Sequence, residues 1–387
     1  MAAPGGPRTG PLTGVRVVEL GGIGPGPFAG MLLSDMGADV VRVDRTSEVG
    51  RMTGSDRVTT RGRRAVALDL KAPAGLACAL RLIEQADALI DPFRPGVAER
   101  LGLGPDACLE RNPRLVFARM TGWGQDGPLA QAAGHDVNYI ALAGALAHFG
   151  RAGGKPTPPI NLVGDYGGGG ALLAFGIVCG VLEARGSGEG QVIDAAMIDG
   201  AAALMAIVWG LRALGQWDES LGANLLDTGA PFYDTYETKD GKFVAIGAIE
   251  PAFFAEFLER TGFDGDDLAS RNDRSTWAGK KPRYEELFRS KTRDEWCDLL
   301  EGTDVCFAPV LPMSEAVQHP HVLARETVVE VDGVQQPAPT PRFSRTPGAI
   351  RSTGPDVGEH TDVALADWGF TPDEIATLHA TGVIAQA

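Results

Sequence analysis

The sequence predicts an α/β protein with a large Rossmann-like domain, whose sheet is mostly parallel, and a smaller α+β domain. Three observations lead to this prediction. The first half of the chain alternates short runs rich in β-branched residues with helical patterns, which is typical of βαβ units. After residue 223 the pattern changes to a hairpin followed by amphipathic helices. The chain has 387 residues, and single cores rarely grow past roughly 250–300 residues.

The large domain is predicted to contain five strands with helices between them. The strand candidates are 15–20, 39–43, 65–70, 88–91 and 114–120, and the helix candidates include 27–36 and 73–85. The turn after the first strand is rich in glycine, but Pro27 stands where a dinucleotide fingerprint needs its third glycine. We therefore expect a helix with proline in its first turn and no nicotinamide site. Farther on we expect an apolar helix (167–185), a strand (191–194) and one long helix (195–214).

The small domain is predicted to begin with a hairpin. Its two runs, 232–236 and 242–246, flank Asp240-Gly241, a dipeptide that favours a tight turn. Helices are expected at 251–261, 283–289 and 293–300. The chain is therefore divided into a large domain (1–195), a linker helix (196–223), a small domain (224–331) and a C-terminal segment (332–387) that returns to the large domain.

The charge of the chain is negative overall and locally positive. A net charge of −15 disfavours a nucleic acid or an anionic membrane as the main partner. Between Val41 and Lys71, however, eight basic residues outnumber four acids. The basic residues are Arg42, Arg45, Arg51, Arg57, Arg61, Arg63, Arg64 and Lys71, and the acids are Asp44, Glu48, Asp56 and Asp69. This excess fits a site for a polyanionic small molecule, and it equally fits a solvated charged loop.

Neither a membrane span nor a disulfide frame is expected. No run reaches the roughly 18 uncharged apolar residues that a membrane helix needs, and the nearest, 168–182, predicts a buried helix. Residues 1–7 lack the apolar core of a signal peptide and predict a loose tail. Five scattered cysteines without a C-x-x-C motif predict reduced thiols in a cytoplasmic protein and no zinc site.

An imidazole and a carboxylate each stand close to glycine. His135 follows Gly134, and Asp165 stands two residues before a run of four glycines. Taken singly, His135 could be a satisfied polar residue, Asp165 a helix N-cap, and Glu250 an exposed loop acid. Together, two groups that can each take or give a proton meet the requirement for inversion at a carbon next to a carbonyl.

Many collinear segments extend this pattern along the chain. They are 17–20, 24–28, 40–45, 68–71, 93–97, 118–125, 133–139, 161–170, 229–233, 247–251, 308–311 and 358–361. In these segments the chain resembles the α-methylacyl-CoA racemase family, within the class III CoA-transferase superfamily, over essentially its whole length. The resemblance implies the family III CoA-transferase fold and an interlocked homodimer. In that dimer the active site lies between the large domain of one subunit and the small domain of the other.

The resemblance also implies an activity and the residues that perform it. The family interconverts (2R)- and (2S)-2-methylacyl-CoA thioesters without a metal or an organic cofactor, since CoA belongs to the substrate. His135 and Asp165 match the two residues that move protons on opposite faces of the α-carbon. Glu250, from the partner chain, matches the residue that pairs with the histidine. The positions implied to contact CoA are Arg45, Leu68, Asp69, Leu70, Lys71, Arg94, Ala133, Gly134, Asp136, Val137 and Asn138.

An enolate intermediate would need hydrogen-bond donors at its oxygen. We predict the backbone N–H groups of Gly167 and Gly168 for this role, at the start of the apolar helix. Two other functions stay open. A CoA-transferase between acyl-CoA and a carboxylate would use Asp165 as a nucleophile, and a non-catalytic acyl-CoA-binding protein would not turn over. The acyl chain could be a branched fatty acid, a sterol side chain or an aryl-propanoyl group. The resemblance implies a place in lipid metabolism, in the breakdown of branched or sterol-derived acids.

Overall fold

The computed structural model describes residues 9–50 and 56–387. The predicted loose tail at 1–7 and Arg51 of the basic cluster lie outside these residues, as does the side chain of Asp56. The strands are β1 (Arg16–Leu20), β2 (Asp39–Asp44), β3 (Arg64–Leu68), β4 (Ala88–Asp91), β5 (Val116–Thr121), β6 (Gln191–Ala196), β7 (Tyr233–Glu237), β8 (Phe243–Gly247), β9 (Phe307–Val310), β10 (Val328–Val331), β11 (Val334–Pro337) and β12 (Ile384–Ala385).

The described residues also form α-helices of four to sixteen residues, two 3₁₀-helices and one π-helix. The α-helices are α1 (Pro25–Asp35), α2 (Asp56–Thr59), α3 (Pro73–Ile83), α4 (Val97–Arg100), α5 (Pro105–Arg111), α6 (Asp136–Leu142), α7 (Leu172–Ser187), α8 (Met197–Leu204), α9 (Ala206–Ala213), α10 (Pro251–Thr261), α11 (Arg274–Arg289), α12 (Arg293–Leu300), α13 (Met313–Ala316), α14 (Pro320–Ala324), α15 (Thr361–Asp367) and α16 (Pro372–Ala380). Thr46–Glu48 and Leu146–His148 are 3₁₀-helices, and Leu162–Ala171 is a π-helix.

Chain contacts divide the protein into two compact units. The first contains residues up to 143, residues 160–204 and residues 326–387; the second contains 144–159 and 205–325. The first unit therefore includes the whole predicted C-terminal segment (332–387), and β12 joins the sheet of that unit. The second unit takes up residues 144–159 as well, a segment that the sequence assigns to the large domain.

The first unit is built on a seven-stranded sheet in the order β12-β3-β2-β1-β4-β5-β6. All neighbouring strands are parallel except β12, which runs antiparallel to β3. The mostly parallel sheet and its first five strands confirm the prediction. Because β1, β4 and β5 are parallel, their carboxyl ends meet at one edge of the sheet, where open α/β sheets bind ligands.

Both faces of this sheet are covered, so the central strands are buried throughout. Val18 and Leu20 of β1 point into a core shared with α3, α5, α15 and α16. Val17, their neighbour on the other face, packs in a core formed with α1, α6 and α7. A strand that is buried on both sides has a continuous apolar sequence, which explains why these strands could be found from the sequence.

The predicted apolar helix (167–185) begins five residues earlier than expected, at Leu162. The π-helix continues into α7, so that residues 162–187 form one helical segment of 26 residues. By length and composition it could cross a membrane, and the expectation that no apolar segment is long enough was wrong. A core helix of a soluble protein passes the same test, and half of the apolar window is buried.

The expected long helix at 195–214 is two helices. α8 and α9 are separated by Met205, whose ψ of 11° departs from helical geometry. The strand before them also runs farther than expected, to Ala196.

The second unit is an α+β structure. Its antiparallel sheet has the order β7-β8-β9, and Tyr233 pairs with Gly247 in the predicted hairpin. Helix α10 has the predicted bounds, whereas α11 begins nine residues before the predicted 283–289 helix. The Asp273 side chain accepts the N–H of Ser275 and caps this earlier start. A core of eight aromatic residues holds the unit together: Phe232, Tyr236, Phe254, Phe257, Trp277, Tyr284, Phe288 and Trp296.

Candidate active site

A cavity of about 290 Å³ opens in the first unit at the carboxyl ends of β1, β4 and β5. The loops that follow these strands supply about half of its walls, at Ile23–Pro25, Pro92–Pro95 and Gly122–Trp123. The remaining walls come from Met120 and Thr121 of β5 and from Ala130, 132–135, Tyr139, Asp165 and Met197. The cavity therefore lies where the sheet topology predicts a ligand site.

His135 stands at the N-terminus of α6. Its backbone is extended, and its N–H donates to Oδ1 of Asn138 at 3.0 Å. The carbonyl oxygen of His135 in turn accepts the N–H of Asn138 at 2.8 Å. These two bonds fix the residue at the entry of the helix, while its side chain is exposed and lines the cavity.

Asp165 lines the same cavity from the first turn of the π-helix. Its side chain is half-buried, and its Oδ2 accepts a hydrogen bond from Nδ2 of Asn161 at 3.0 Å. Burial raises the pKa of Asp165 above its ordinary value, and the nearby carboxylate of Asp136 raises it further. The Asn161 hydrogen bond and His135 act in the opposite direction. Asp165 is therefore a carboxyl group whose neutral form is favoured relative to an exposed aspartate.

The Asp136 side chain is buried, whereas a residue that contacts CoA through its side chain would be accessible. Its side chain is 6% exposed, and its Oδ1 accepts the backbone N–H of Asp165 at 2.7 Å. A carboxylate turned into the protein in this way does not present itself to a ligand in the cavity. The partner of this side chain lies 29 residues away in the sequence, so its burial could not be inferred locally, and a CoA contact through the backbone of Asp136 stays a prediction.

Tyr139 is a wall of the cavity that sequence reasoning missed. It is buried and meets Trp123 edge to face, with 4.7 Å between the ring centres. A methyl group at Gly122 would overlap the Tyr139 ring, and one at Gly134 would lie 2.7 Å from it. The ring therefore needs glycine at both positions. Burial, and then the charge of Asp165, raise the pKa of Tyr139. The available signal was its position four residues after His135, one helical turn along the chain.

The other positions implied to contact CoA lie at the same edge of the sheet, but only some reach the cavity. Arg94, Ala133 and Gly134 line it. Arg45 follows β2 and is exposed, as are Lys71 after β3 and Val137 and Asn138 on α6. Leu68 is buried in the core, Leu70 is partly buried against it, and Oδ1 of Asp69 accepts the N–H of Lys71 at 3.0 Å.

Three arginines of the basic cluster have partners inside the fold. Arg61 pairs with Asp35 at 2.5 Å, Arg63 with Glu19, and Arg64 with Asp39 and Asp367. All three arginines are buried, so the excess of positive charge does not as a whole form a surface for a polyanion. Among the described residues, the members of the cluster that are exposed are Arg45 and Lys71.

Glu250 belongs to the second unit. It stands between β8 and α10, with extended backbone and an exposed side chain. Burial is the main cause that raises the pKa of the nearby Cys306 thiol, and the charge of Glu250 adds to it.

Gly167 and Gly168 are not at a helix start. The π-helix begins at Leu162, so both residues lie inside it. A methyl group at Gly168 would lie 2.6 Å from the backbone nitrogen of Ala201 in α8. These glycines therefore allow two helices to approach closely, and the expectation that they open the helix was wrong. The helix that starts at the cavity is α6, whose first N–H groups, at Asp136 and Val137, have no partner within the helix.

The residues that the structure describes contain no group of three or more His, Cys, Asp or Glu side chains that could hold a metal ion.

Comparisons with known proteins give consistent results. A family model described as CoA-transferase family III matches residues 12–361. A Mus musculus protein named alpha-methylacyl-CoA racemase is 45% identical over 376 residues, which cover 96% of this chain and 97% of that protein. The Homo sapiens protein of the same name is 42% identical over 379 residues, with the same coverage. A CAIB/BAIF family protein from Brucella suis has the same fold, with a TM-score of 0.80 at 24% identity over 93% of this chain and 100% of that chain.

Proposed function

The chain belongs to CoA-transferase family III, and we propose that it is a racemase that interconverts (2R)- and (2S)-2-methylacyl-CoA thioesters. The observation that carries the proposal is that the side chains of His135 and Asp165 line one cavity. Two groups that can each take or give a proton suit removal and return of a proton at the same carbon.

The proposed reaction proceeds through an enolate. One of the two residues removes the α-proton, the electron pair moves onto the thioester oxygen, and the other residue delivers a proton to the opposite face of the α-carbon. The two residues exchange roles for the other enantiomer. The raised pKa of Asp165 supports its part as proton donor, since its neutral form persists to higher pH than that of an exposed aspartate.

Proton transfer groups alone cannot account for the rate. If the α-proton and the base differ by about ten pKa units, the gap corresponds to about 14 kcal/mol. A positioned base contributes only about 10²–10⁴-fold, so the enolate oxygen needs preorganised donors. We assign this part to the backbone N–H groups of Asp136 and Val137 at the start of α6, in place of Gly167 and Gly168. The positive end of the helix dipole supports the same role.

For the CoA moiety we propose Arg45, Lys71 and Arg94 as the residues that meet its phosphate groups. All three are exposed and follow the carboxyl ends of parallel strands of one sheet. The backbone of 68–71 and of 133–138 would contact the remainder of CoA. No metal or organic cofactor takes part in the proposed mechanism.

We also propose that the active enzyme is a homodimer in which Glu250 of the partner chain orients His135. Phe175, Val178 and Leu182 of α7 are exposed although large and apolar, and they follow each other at helical spacing. Such a stripe supports an interface. Five free cysteines support a reducing, cytoplasmic location. The acyl group would be a branched fatty acid, a sterol side chain or an aryl-propanoyl group, taken from lipid breakdown.

The competing function is CoA transfer to a carboxylate, with Asp165 as the nucleophile. Asp165 lies on the cavity wall, and the matching family model is described as CoA-transferase family III. Both observations make CoA transfer the second candidate. Chiral analysis of a 2-methylacyl-CoA incubated with the protein tests the proposal. Inversion without any added carboxylate supports the racemase. Transfer of CoA only after a free acid is supplied supports the transferase instead.

A further inference from the structure

We infer that Asp136 is a positioning residue for the proposed proton transfer: its buried carboxylate holds the backbone of Asp165 against the helix that begins beside His135. The inference rests on the proposed racemase function. His135 and Asp165 exchange protons with the substrate in that proposal, and Asp136 connects the elements that carry them.

The hydrogen bond of Asp136 connects the two elements that carry these groups. Asp136 is the first residue of α6 and directly follows His135, and its Oδ1 accepts the backbone N–H of Asp165 at 2.7 Å. A methyl group at Gly164 would lie 2.5 Å from the same oxygen, so glycine at that position leaves room for the contact. The bond therefore limits how far the backbones at His135 and Asp165 can move apart.

The second carboxylate oxygen of Asp136 indicates that this side chain does more than accept the Asp165 N–H. Oδ2 is buried and has no hydrogen-bond partner among the residues that the structure describes. Leaving a buried polar atom unpaired destabilises a fold. An asparagine would also accept the Asp165 N–H and would bring no charge into the interior. Accepting this hydrogen bond therefore does not explain why the position carries a negatively charged side chain.

The charge acts on Asp165. After burial, the Asp136 carboxylate is the group that raises the pKa of Asp165, while Asn161 and His135 lower it. Tyr139 of α6 and Arg94, which follows β4, line the same cavity. Asp199 of α8, the helix packed on the other side, is exposed. Removing the charge of Asp136 lowers the pKa of Asp165, so the branch of the pH–rate profile that Asp165 controls moves to lower pH.

The test is the pH dependence of α-proton exchange, measured in D₂O by NMR for each enantiomer of a 2-methylacyl-CoA. Asp136→Asn keeps an acceptor for the Asp165 N–H and removes the charge. We expect its Asp165-dependent branch at lower pH than in the wild type, with the rate at its new optimum within about tenfold. Asp136→Ala removes the bond as well, and we expect a loss of about 10²-fold, because a displacement of about 1 Å at a reacting group costs that much.

Asp227→Asn is the matched control. Asp227 is also 6% exposed, and its Oδ1 also accepts a backbone N–H, that of Asn224, at 2.6 Å in the second unit. We expect this variant to lose stability and to keep the wild-type pH profile. If Asp136→Asn does not fold, Gly164→Ala provides the second approach, since its methyl group displaces the Asp136 carboxylate; the same branch of the profile is expected to move.

Two outcomes contradict the inference, and they differ from failure of the proposed function. A wild-type pH profile in Asp136→Asn or in Gly164→Ala would overturn it, as would an equal shift in Asp227→Asn. Absence of exchange and inversion in the wild type itself would instead refute the racemase, whatever the variants do.

Discussion

The backbone of Gly200 in α8 packs directly against the backbone of Gly168 in the π-helix, so closely that a methyl group on Gly200 would overlap the Gly168 carbonyl. This contact places α8 against the helix that carries Asp165. The glycine run therefore serves the packing of the site and does not itself form the start of a helix.

We expect Gly200→Ala to destabilise the protein by about 1–3 kcal/mol, the usual cost of overpacking a tight contact. The inversion rate should also fall, because the π-helix must shift. Gly279→Ala is the control: Gly279 lies in α11 and is exposed, and a methyl group there would meet no other atom within 4 Å. Alanine there should be neutral or add up to about 1 kcal/mol. Thermal unfolding compares the two, and equal effects would contradict the packing role.

Replacing Arg63 by methionine should be strongly destabilising. Arg63 and Glu19 form a fully buried pair, and Arg63 also donates to the carbonyl of Pro27 in α1. Removing one partner of a buried pair typically costs about 3–5 kcal/mol, because the other charge stays without compensation. Denaturant unfolding measures the loss.

The control for Arg63 is an exposed pair. Arg212 and Glu219 have side chains that are 56% and 69% exposed, so Arg212→Met should change stability by at most about 1 kcal/mol. The double substitution Arg63→Met with Glu19→Leu should recover part of the loss. A double variant as unstable as the single one would show that the charge on Glu19 is not the cause.

Asp91 gives the stability of the fold a pH dependence of known sign. It is buried at the end of β4, and burial is the main cause that raises its pKa to about 6. The folded protein thus binds this proton more tightly than the unfolded chain, whose carboxyl has a pKa near 3.8. The contribution is therefore present below the unfolded pKa and is lost as the pH rises toward 6.

Asp91→Asn should remove that dependence. Relative to the wild type, the variant should gain stability between pH 4 and pH 7 by an amount on the order of 3 kcal/mol. Denaturant unfolding at several pH values measures the difference. Asp126→Asn, at an exposed position after β5, is the control and should show no such gain. A difference between wild type and Asp91→Asn that stays constant with pH would rule out Asp91 as the source.

Asn161→Ala should move the pH profile in the direction opposite to Asp136→Asn. The Asn161 amide donates to Oδ2 of Asp165, and this bond lowers the pKa of the carboxyl. Without it the pKa rises, so the Asp165-dependent branch of the exchange rate moves to higher pH. Asn112→Ala is the control, because its amide donates to the carbonyls of Ile83 and Ala86, away from the cavity. A shift to lower pH in Asn161→Ala would contradict the assignment.

The architecture was predictable where local pattern and tertiary environment agree. Strands such as β1 and β4 are buried on both faces, and their apolar runs show this directly. The hairpin of β7 and β8 follows from the Asp-Gly turn between them. The start of the π-helix was missed because this helix packs against α6 and α8, and no local pattern records those contacts.

The site was predictable in part. His135 and Asp165 stand out by their glycine context and by the resemblance of their segments to a known family, and both line the cavity. The bond between Asp136 and Asp165 could not be inferred, because it depends on how two elements pack. The same holds for Arg61 and Arg63: their charges suggested a polyanion site, whereas their partners Asp35 and Glu19 come from other strands and helices.

The most direct test of the proposed racemase follows exchange and inversion together in wild type, His135→Ala and Asp165→Ala. Each protein is incubated in D₂O with one enantiomer of a 2-methylacyl-CoA; NMR follows α-deuterium, and chiral analysis follows the enantiomer ratio. The two-residue mechanism predicts deuterium uptake with drift to a near-equal mixture in the wild type. Each variant should lose inversion by at least about 10²-fold while retaining at most exchange with one enantiomer. Inversion at the wild-type rate in His135→Ala would refute that mechanism.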